Sequence, residues 1–300
     1  MNRTNYKENQ QCAGLNAVLL MGGYSVCGRI IVDDVATYTM TWLVSVAVVI
    51  VFWIFFTILR TRHPKTARDT GRALIPVIAV AYLTAVAGLY LNGFISLWQQ
   101  WALPNTSSLV LAASAALLSV YGGCRGVRPA LRLCLPVGLA VLVLFLLDTA
   151  LLVPEMSPAR LGVADAGFDV FAFLELTAAM LLSMPASFIL LDEKKENLSY
   201  RLIGINIGLG YLLINVLRSV MVLGQLTVFE PYPLLRSLML VYIGPGLGRM
   251  EAGGLMALSA AMLAAVMAFI AGAISMLPVC RRKSAAKALI WLALTAMGLF

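Results

Sequence analysis

Charge is scarce in this chain: Asp, Glu, Lys and Arg make up 12% of its 300 residues, while 61% are hydrophobic. That balance leaves too little polar surface to cover a water-facing globule of ordinary size, so a soluble fold is excluded. Histidine is represented by His63 alone, and the five cysteines, Cys12, Cys27, Cys124, Cys134 and Cys280, form no Cys-x-x-Cys pair. Neither a zinc or haem ligand set nor the base of a His-dependent triad can be assembled from them. A Walker loop and a dinucleotide fingerprint are also lacking; Gly244-Pro-Gly246-Leu-Gly248 has neither the spacing nor a preceding strand. No acid pair, His-x-Glu or Ser-Lys arrangement falls on one helix face, and the adjacent Asp33 and Asp34 diverge. The chain therefore reads as a non-enzyme without cofactor or metal. Strand-like alternation is missing too, which argues against a barrel.

What is present is a series of apolar spans, at about Cys12 to Ile30, Tyr38 to Leu59, Leu74 to Trp98, Ser107 to Tyr121, Leu133 to Val153, Phe168 to Leu191, Leu202 to Leu226, Gly253 to Leu277 and Ala288 onward. Each of the complete ones suits a helix crossing a hydrocarbon core of roughly 30 Å. Most of the 22 basic residues fall in every second gap: Arg3 and Lys7; Arg60 to Arg72; Arg125 to Arg132; Lys194 to Arg201; Arg281 to Lys287. By the positive-inside rule that side is cytoplasmic and so is the N-terminus. The net charge of +8 is thus an orientation signal in short loops rather than a nucleic-acid footprint. The first span also carries a signal-peptide-like pattern, with Lys7 before an apolar run and Ser25-Val-Cys27 after it.

Ionisable residues and helix breakers inside spans are costly in lipid and need a reason. Asp148, Glu175 and Arg218 are the ionisable ones, and Arg249 and Glu251 stand just ahead of the eighth span. Asp148 and Arg218 could pair, but both lie near an outer end and are expected to snorkel. Arg249 and Glu251, two apart, project from different faces. The breakers are Gly22-Gly23, Pro76, Pro136, Pro185 and Gly244-Pro245-Gly246. Gly22-Gly23 fits either close helix packing or an unwound helix whose freed backbone groups hold a ligand near the midplane. Glu175 precedes Pro185 in the sixth span, so spans one and six both carry a breaker, as corresponding helices of a five-plus-five inverted repeat would. Tyr82 and Tyr90 lie on nearly one face of the third span. Tyr90 fits an interfacial belt, whereas Tyr82 is deep enough to hydrogen-bond within the bundle.

Several segments taken together resemble the GerAB-type spore germination permeases. They are Arg62-His-Pro64-Lys-Thr-Ala-Arg-Asp, Leu103-Pro-Asn-Thr106, Tyr121-Gly-Gly-Cys-Arg-Gly-Val-Arg-Pro, Pro185 with Lys194-Lys195, and Pro231-Tyr232-Pro233 followed by Gly248-Arg249-Met250-Glu251. The resemblance covers essentially the whole chain through scattered positions. It implies a branch of the amino acid-polyamine-organocation superfamily: an all-α polytopic membrane protein with a leucine-transporter-like inverted-repeat bundle and broken helices one and six. The single domain, 1–300, would comprise a cytoplasmic tail (1–11), a first five-helix repeat (12–153) and an incomplete second repeat (154–300), ending inside the ninth of ten spans.

The implied role is that of the membrane subunit of a nutrient germinant receptor in the spore inner membrane, working beside an A subunit and a C lipoprotein. The family's ligand pocket maps onto Gly22 with Gly23, Tyr82, Val86, Leu176, Ala265 and Phe269, with Glu175 beside it; Arg249, Glu251 and Pro185 are the structural and gating positions. This chain departs from the pattern in having no proline in Tyr24 to Ile31 and Ala179 in place of an acid. With Val86, Leu176, Ala265 and Phe269 as walls, the pocket would take a small or apolar amino acid and offer no partner to a charged side chain. A secondary amino acid transporter coupled to protons through Glu175 would use the same residues, and a ligand-free membrane scaffold is a third class. Asp192 to Glu196 reads as a solvated turn or a docking point for the A subunit. Phe229 to Gly248 is expected to lie along the membrane interface as a gate or partner surface.

The orientation has a direct check. Single cysteines at His63 and at Asn105, in a chain whose own cysteines are replaced, should be labelled from opposite sides of sealed vesicles by an impermeant maleimide, with position 63 protected from the outside.

Overall fold

The structure, a computed structural model, describes residues 3–27, 35–62, 74–161, 167–190, 198–230, 232–240 and 250–276 and the single positions 293 and 296. Among these, every regular element is helical. The long helices are α1 (Arg3–Cys27), α2 (Val35–Arg62), α3 (Leu74–Trp101), α4 (Ser108–Gly123), α5 (Val127–Leu152), α6 (Val170–Leu190) and α7 (Leu198–Leu223). Two short ones, α8 (Leu226–Phe229) and α9 (Pro233–Leu238), lead into the long α10 (Met250–Met276). α2, α3, α5, α6, α7 and α10 each contain a stretch long and apolar enough to cross a membrane. A hydrocarbon core supplies no hydrogen bonds, which is why runs of such residues close their backbone bonds internally as helices. Large apolar side chains left exposed by the bundle, among them Phe52, Leu117, Val143 and Phe171, supply a lipid-facing surface. The chain is an all-α polytopic membrane protein.

Among the eight long helices, α1 is shielded by protein rather than by lipid. Every residue from Gly14 to Gly23 is buried, and α1 packs against α7, α5, α10, α6 and α3. Small residues make this possible. A Cβ on Gly14 would stand 2.7 Å from the Leu135 Cα of α5, and one on Gly204 of α7 would overlap the Ala13 carbonyl oxygen. Further along, Gly138 of α5 faces Val18 and Gly208 of α7 faces Leu20. Both sets of pairings advance together, so α1, α5 and α7 run in the same direction with α1 between the other two. This is the small-residue packing that lets helices approach closely in a membrane, where lipid tails remove the hydrophobic drive.

α10 is the second inner helix: Ala261, Met262, Ala264, Ala265, Val266 and Ala268 to Ala271 are almost fully buried. It packs against α3, α5, α1 and α4. Trp98 Nε1 of α3 donates to Ser259 Oγ of α10 at 2.8 Å, satisfying both groups inside the bundle. At the far ends of α5 and α7, the segment after α5 folds over the terminus of α7. Ser157 N donates to the Met221 carbonyl at 3.1 Å. Arg160 Nη1 donates to Met221 O at 3.3 Å and to Val222 O. A cation on the last carbonyls of a helix complements its dipole, and α7 ends at once in Gly224, whose φ of +57° requires glycine.

The structure corrects several expectations. α1 begins at Arg3, so the stretch expected as a tail is helical from residue 3. α1 passes through Gly22-Gly23, and α6 through Pro185, as single α-helices; neither is broken. α5 starts at Val127, six residues ahead of the expected span. The Pro-rich stretch after Phe229 is not wholly interfacial: Pro233, Leu234, Leu235 and Leu238 of α9 are buried, against α7 and α10. A Cβ on Gly254 of α10 would meet Leu238 Cδ1 at 2.5 Å. The ninth span apart from positions 293 and 296, Arg249, Asp192 to Glu196 and the Lys194-Lys195 pair lie outside the described residues.

Because the Gly204 contact is with backbone, which cannot rotate away, Gly204→Ala should destabilise the detergent-solubilised protein by about 1–3 kcal/mol. Gly210→Ala, with no neighbour within 4 Å of the added carbon, should be neutral or slightly stabilising. Unfolding titrations of the two variants beside the parent protein check the pair.

Candidate functional site

The centre of the bundle is organised by an aromatic ring laid across two glycines. Tyr90 of α3 is 1% exposed, and its hydroxyl donates to the Leu19 carbonyl of α1 at 2.6 Å. A Cβ on Gly22 would stand 2.9 Å from Tyr90 Cε1, and one on Gly23 would stand 3.2 Å from the hydroxyl. On its other side the ring meets Phe269 of α10 edge-on, with centroids 5.4 Å apart at 79°, an arrangement the ring quadrupoles favour. Gly22 also lies near the Met262 Cα of α10. One aromatic ring thus joins α1, α3 and α10.

This explains why α1 does not unwind. The expected break would free backbone groups for a ligand, but here the absent Cβ atoms make room for a ring. Tyr90 uses the second lone pair of a carbonyl that a continuous helix already engages. Its expected place in an interfacial belt is therefore corrected: Tyr90 is a core residue.

The other sequence-derived positions divide. Val86, Leu176, Ala265 and Phe269 are at most 1% exposed and belong to the same core as Tyr90. Tyr82 is half-buried on α3, and its hydroxyl donates to the Leu182 carbonyl of α6, as expected of a deep tyrosine. Leu182 sits in the turn before Pro185, where the proline removes a backbone donor and crowds the preceding carbonyls. Pro185 itself is on the exposed face of α6. Glu175 is exposed as well, on the opposite course of α6 from the neighbouring Leu176, so it is not brought to the buried set. Glu251 is the second residue of α10; its side chain and Arg249 lie outside the described residues.

Asp148 and Arg218 do not snorkel: they are 5% and 1% exposed. Arg218 Nη1 donates to Thr149 Oγ1 of α5 at 3.1 Å, and its guanidinium lies 5.3 Å over the Phe145 ring. Phe145 meets Tyr211 of α7 edge-on at 4.8 Å. Holding these charges inside is less costly because the cation has a hydroxyl, a ring face and an opposite charge around it.

Sequence reasoning passed over Asn16, which is 1% exposed at the middle of α1. Its Nδ2 donates back to the Cys12 carbonyl at 3.0 Å, while its Oδ1 accepts nothing. Ser259 was also missed. Both are single polar residues in apolar runs, a signal that was there to be read.

The fold and this closed centre define an integral membrane bundle with an aromatic latch on its innermost helix. Compared with protein-family models and with curated proteins, the chain matches none.

Gly22→Ala should cost about 1–3 kcal/mol through overpacking against Tyr90. In a Tyr90→Ala background the same change should cost close to nothing, since the space it needs is then open. A double-mutant cycle on unfolding free energies reads this as a coupling of comparable size.

Proposed function

We propose that this protein is the membrane subunit of a spore nutrient germinant receptor, recognising a small apolar amino acid at the level of Gly22 and passing the signal to an A subunit and a C lipoprotein. The observation that carries the reading is the contact of the Tyr90 ring with Gly22 and with Phe269, on a helix surrounded by protein; Val86, Leu176 and Ala265 are buried in the bundle as well. On this reading the described conformation is closed, with Tyr90 in the space a ligand's side chain would take, and Tyr82 holds α3 to α6 beside Pro185. Ligand binding displaces the ring and shifts the bundle towards a second form by the difference in affinity between the two. The distributed basic residues place the N-terminus in the cytoplasm, and the membrane is the inner membrane of the spore.

Secondary transport of an amino acid is the alternative, supported by the same residues. The exposure of Glu175 weighs against its acting as the proton-coupling group.

A ligand held only by the folded state must raise the melting temperature. In a thermal screen of the purified protein against amino acids, sugars and nucleosides, a small apolar amino acid should give the shift, and Tyr82→Phe should reduce it. Uptake of that compound into proteoliposomes decides between the two readings: the receptor gives binding without flux. If no compound shifts the folded protein, the ligand reading fails.

A further inference from the structure

An amino acid brings one positive and one negative group, and both must be met once it leaves water. The unbroken α1 frees no backbone groups at Gly22 to meet them, and the walls there are apolar. Among the described residues, Asp148 and Arg218 are the buried charged side chains, one of each sign, on neighbouring helices.

Their position follows from the packing of α1. Gly138 of α5 stands at Val18 and Gly208 of α7 at Leu20. Asp148 and Arg218 are each ten residues further along, about 15 Å, whereas α1 ends at Cys27, about 10–14 Å beyond those contacts. The two charges therefore lie level with Cys27, the last described residue of α1, or beyond it.

Asn215 of α7 is fully buried in the same region. It is one turn from Tyr211 on α7, and neither the nitrogen nor the oxygen of its amide reaches a partner at hydrogen-bond distance and angle. The two charges act on each other, while Arg218 Nη1 donates to Thr149. A buried donor and acceptor left over one turn before Arg218 on α7 call for a polar occupant.

We infer that Asp148, Asn215 and Arg218 form a second binding site, for the charged head of a zwitterionic amino acid, at the outer ends of α5 and α7. The carboxylate faces the Arg218 guanidinium, which keeps its Thr149 bond and its place over Phe145. The ammonium faces Asp148, and the Asn215 amide gives its N–H to the carboxylate and its oxygen to the ammonium. Intramembrane ionisable residues mark functional sites far more often than chance placement would. The site rests on the amino-acid reading above but is separate from the Gly22 level.

The test is equilibrium binding to the purified full chain, using glycine, alanine, valine and leucine as probes with their N-acetyl and amide derivatives. The parent protein should bind at least one free amino acid and neither derivative. Asp148→Asn, Arg218→Met and Asn215→Leu should each weaken binding at least tenfold. Val143→Ala and Leu117→Ala, at exposed positions of the bundle, should retain it; Arg218→Lys and Asn215→Ser replace the harsher pair if those variants do not fold. Binding unchanged in the three outer variants overturns the site and leaves the Gly22-level reading standing. Binding of both derivatives as tightly as the free amino acid also overturns it. Absence of any binding to the folded parent protein removes both readings.

Discussion

The arrangement of the bundle depends on how closely α5 and α7 approach the backbone of α1. Gly14 against Leu135 and Gly204 against Ala13 put main chain beside main chain. In water such contacts would be one contribution among many, but between helices in lipid close packing carries most of the association. The approach has a second consequence. α1, with Gln10, Gln11, Asn16 and its glycines, is too weakly apolar to count among the candidate spans, and it is stable where it is because α3, α5, α6, α7 and α10 take the place of lipid around it. Removing either glycine contact would expose a helix that lipid does not suit.

Given α1 at the centre, Tyr90 decides what that helix can do. The ring fills the volume beside Gly22 and its hydroxyl reaches Leu19 without asking the helix to open. Two glycines in a membrane helix permit an unwound segment, but permission is not a driving force. The freed amides and carbonyls would each need a partner, and a ring that removes no backbone hydrogen bond is the lower-energy occupant of the space. Trp98 on Ser259 and Tyr82 on Leu182 extend the pattern: α3 meets its neighbours through aromatic tips that find polar atoms inside the bundle. Those two contacts fix α3 to α10 and to α6, so displacement of Tyr90 would be felt on three helices.

Hydropathy made the helices readable because a span must be long and apolar whatever packs against it. The α3 and α6 spans were found nearly to the residue at one end or both, while α7 is displaced by three to four residues and α5 ran further because Val127 to Arg132 is helical outside the apolar run. Tyr82 could be placed by depth alone. Tyr90 could not, since eight residues of helix bring a side chain to either an interface or a core, and what decides is the pair of glycines on another helix, a fact of tertiary packing. The same limit applies to Asp148 and Arg218. Distance from a span's end favoured snorkelling, but tertiary packing gives them an interior to occupy. Glu175 against Leu176 shows the reverse case: adjacent positions on α6 divide between outside and core, and a single residue of helical phase separates a site residue from a lipid-facing one.

The buried charges bear on how an occupied state would differ from an empty one. α5 and α7 run in the same direction, so their C-terminal ends lie together where Asp148 and Arg218 are. Those ends carry partial negative charge. Arg218 is favoured there by the carbonyls as well as by Asp148, as Arg160 is on the last turn of α7. Asp148 has the carbonyl ends against it and depends on the cation. The cluster is therefore unbalanced, and a second cation entering it, such as an ammonium, meets the carboxylate and the helix ends together. A carboxylate arriving on the same molecule restores to Arg218 what Asp148 then shares. A zwitterion can satisfy both sides at once, whereas an amine or an acid alone leaves one charge less well matched than before. The α5 and α7 ends belong to the two elements that grip α1 through glycine contacts, so a change of separation there would act on the contacts that the bundle is built around.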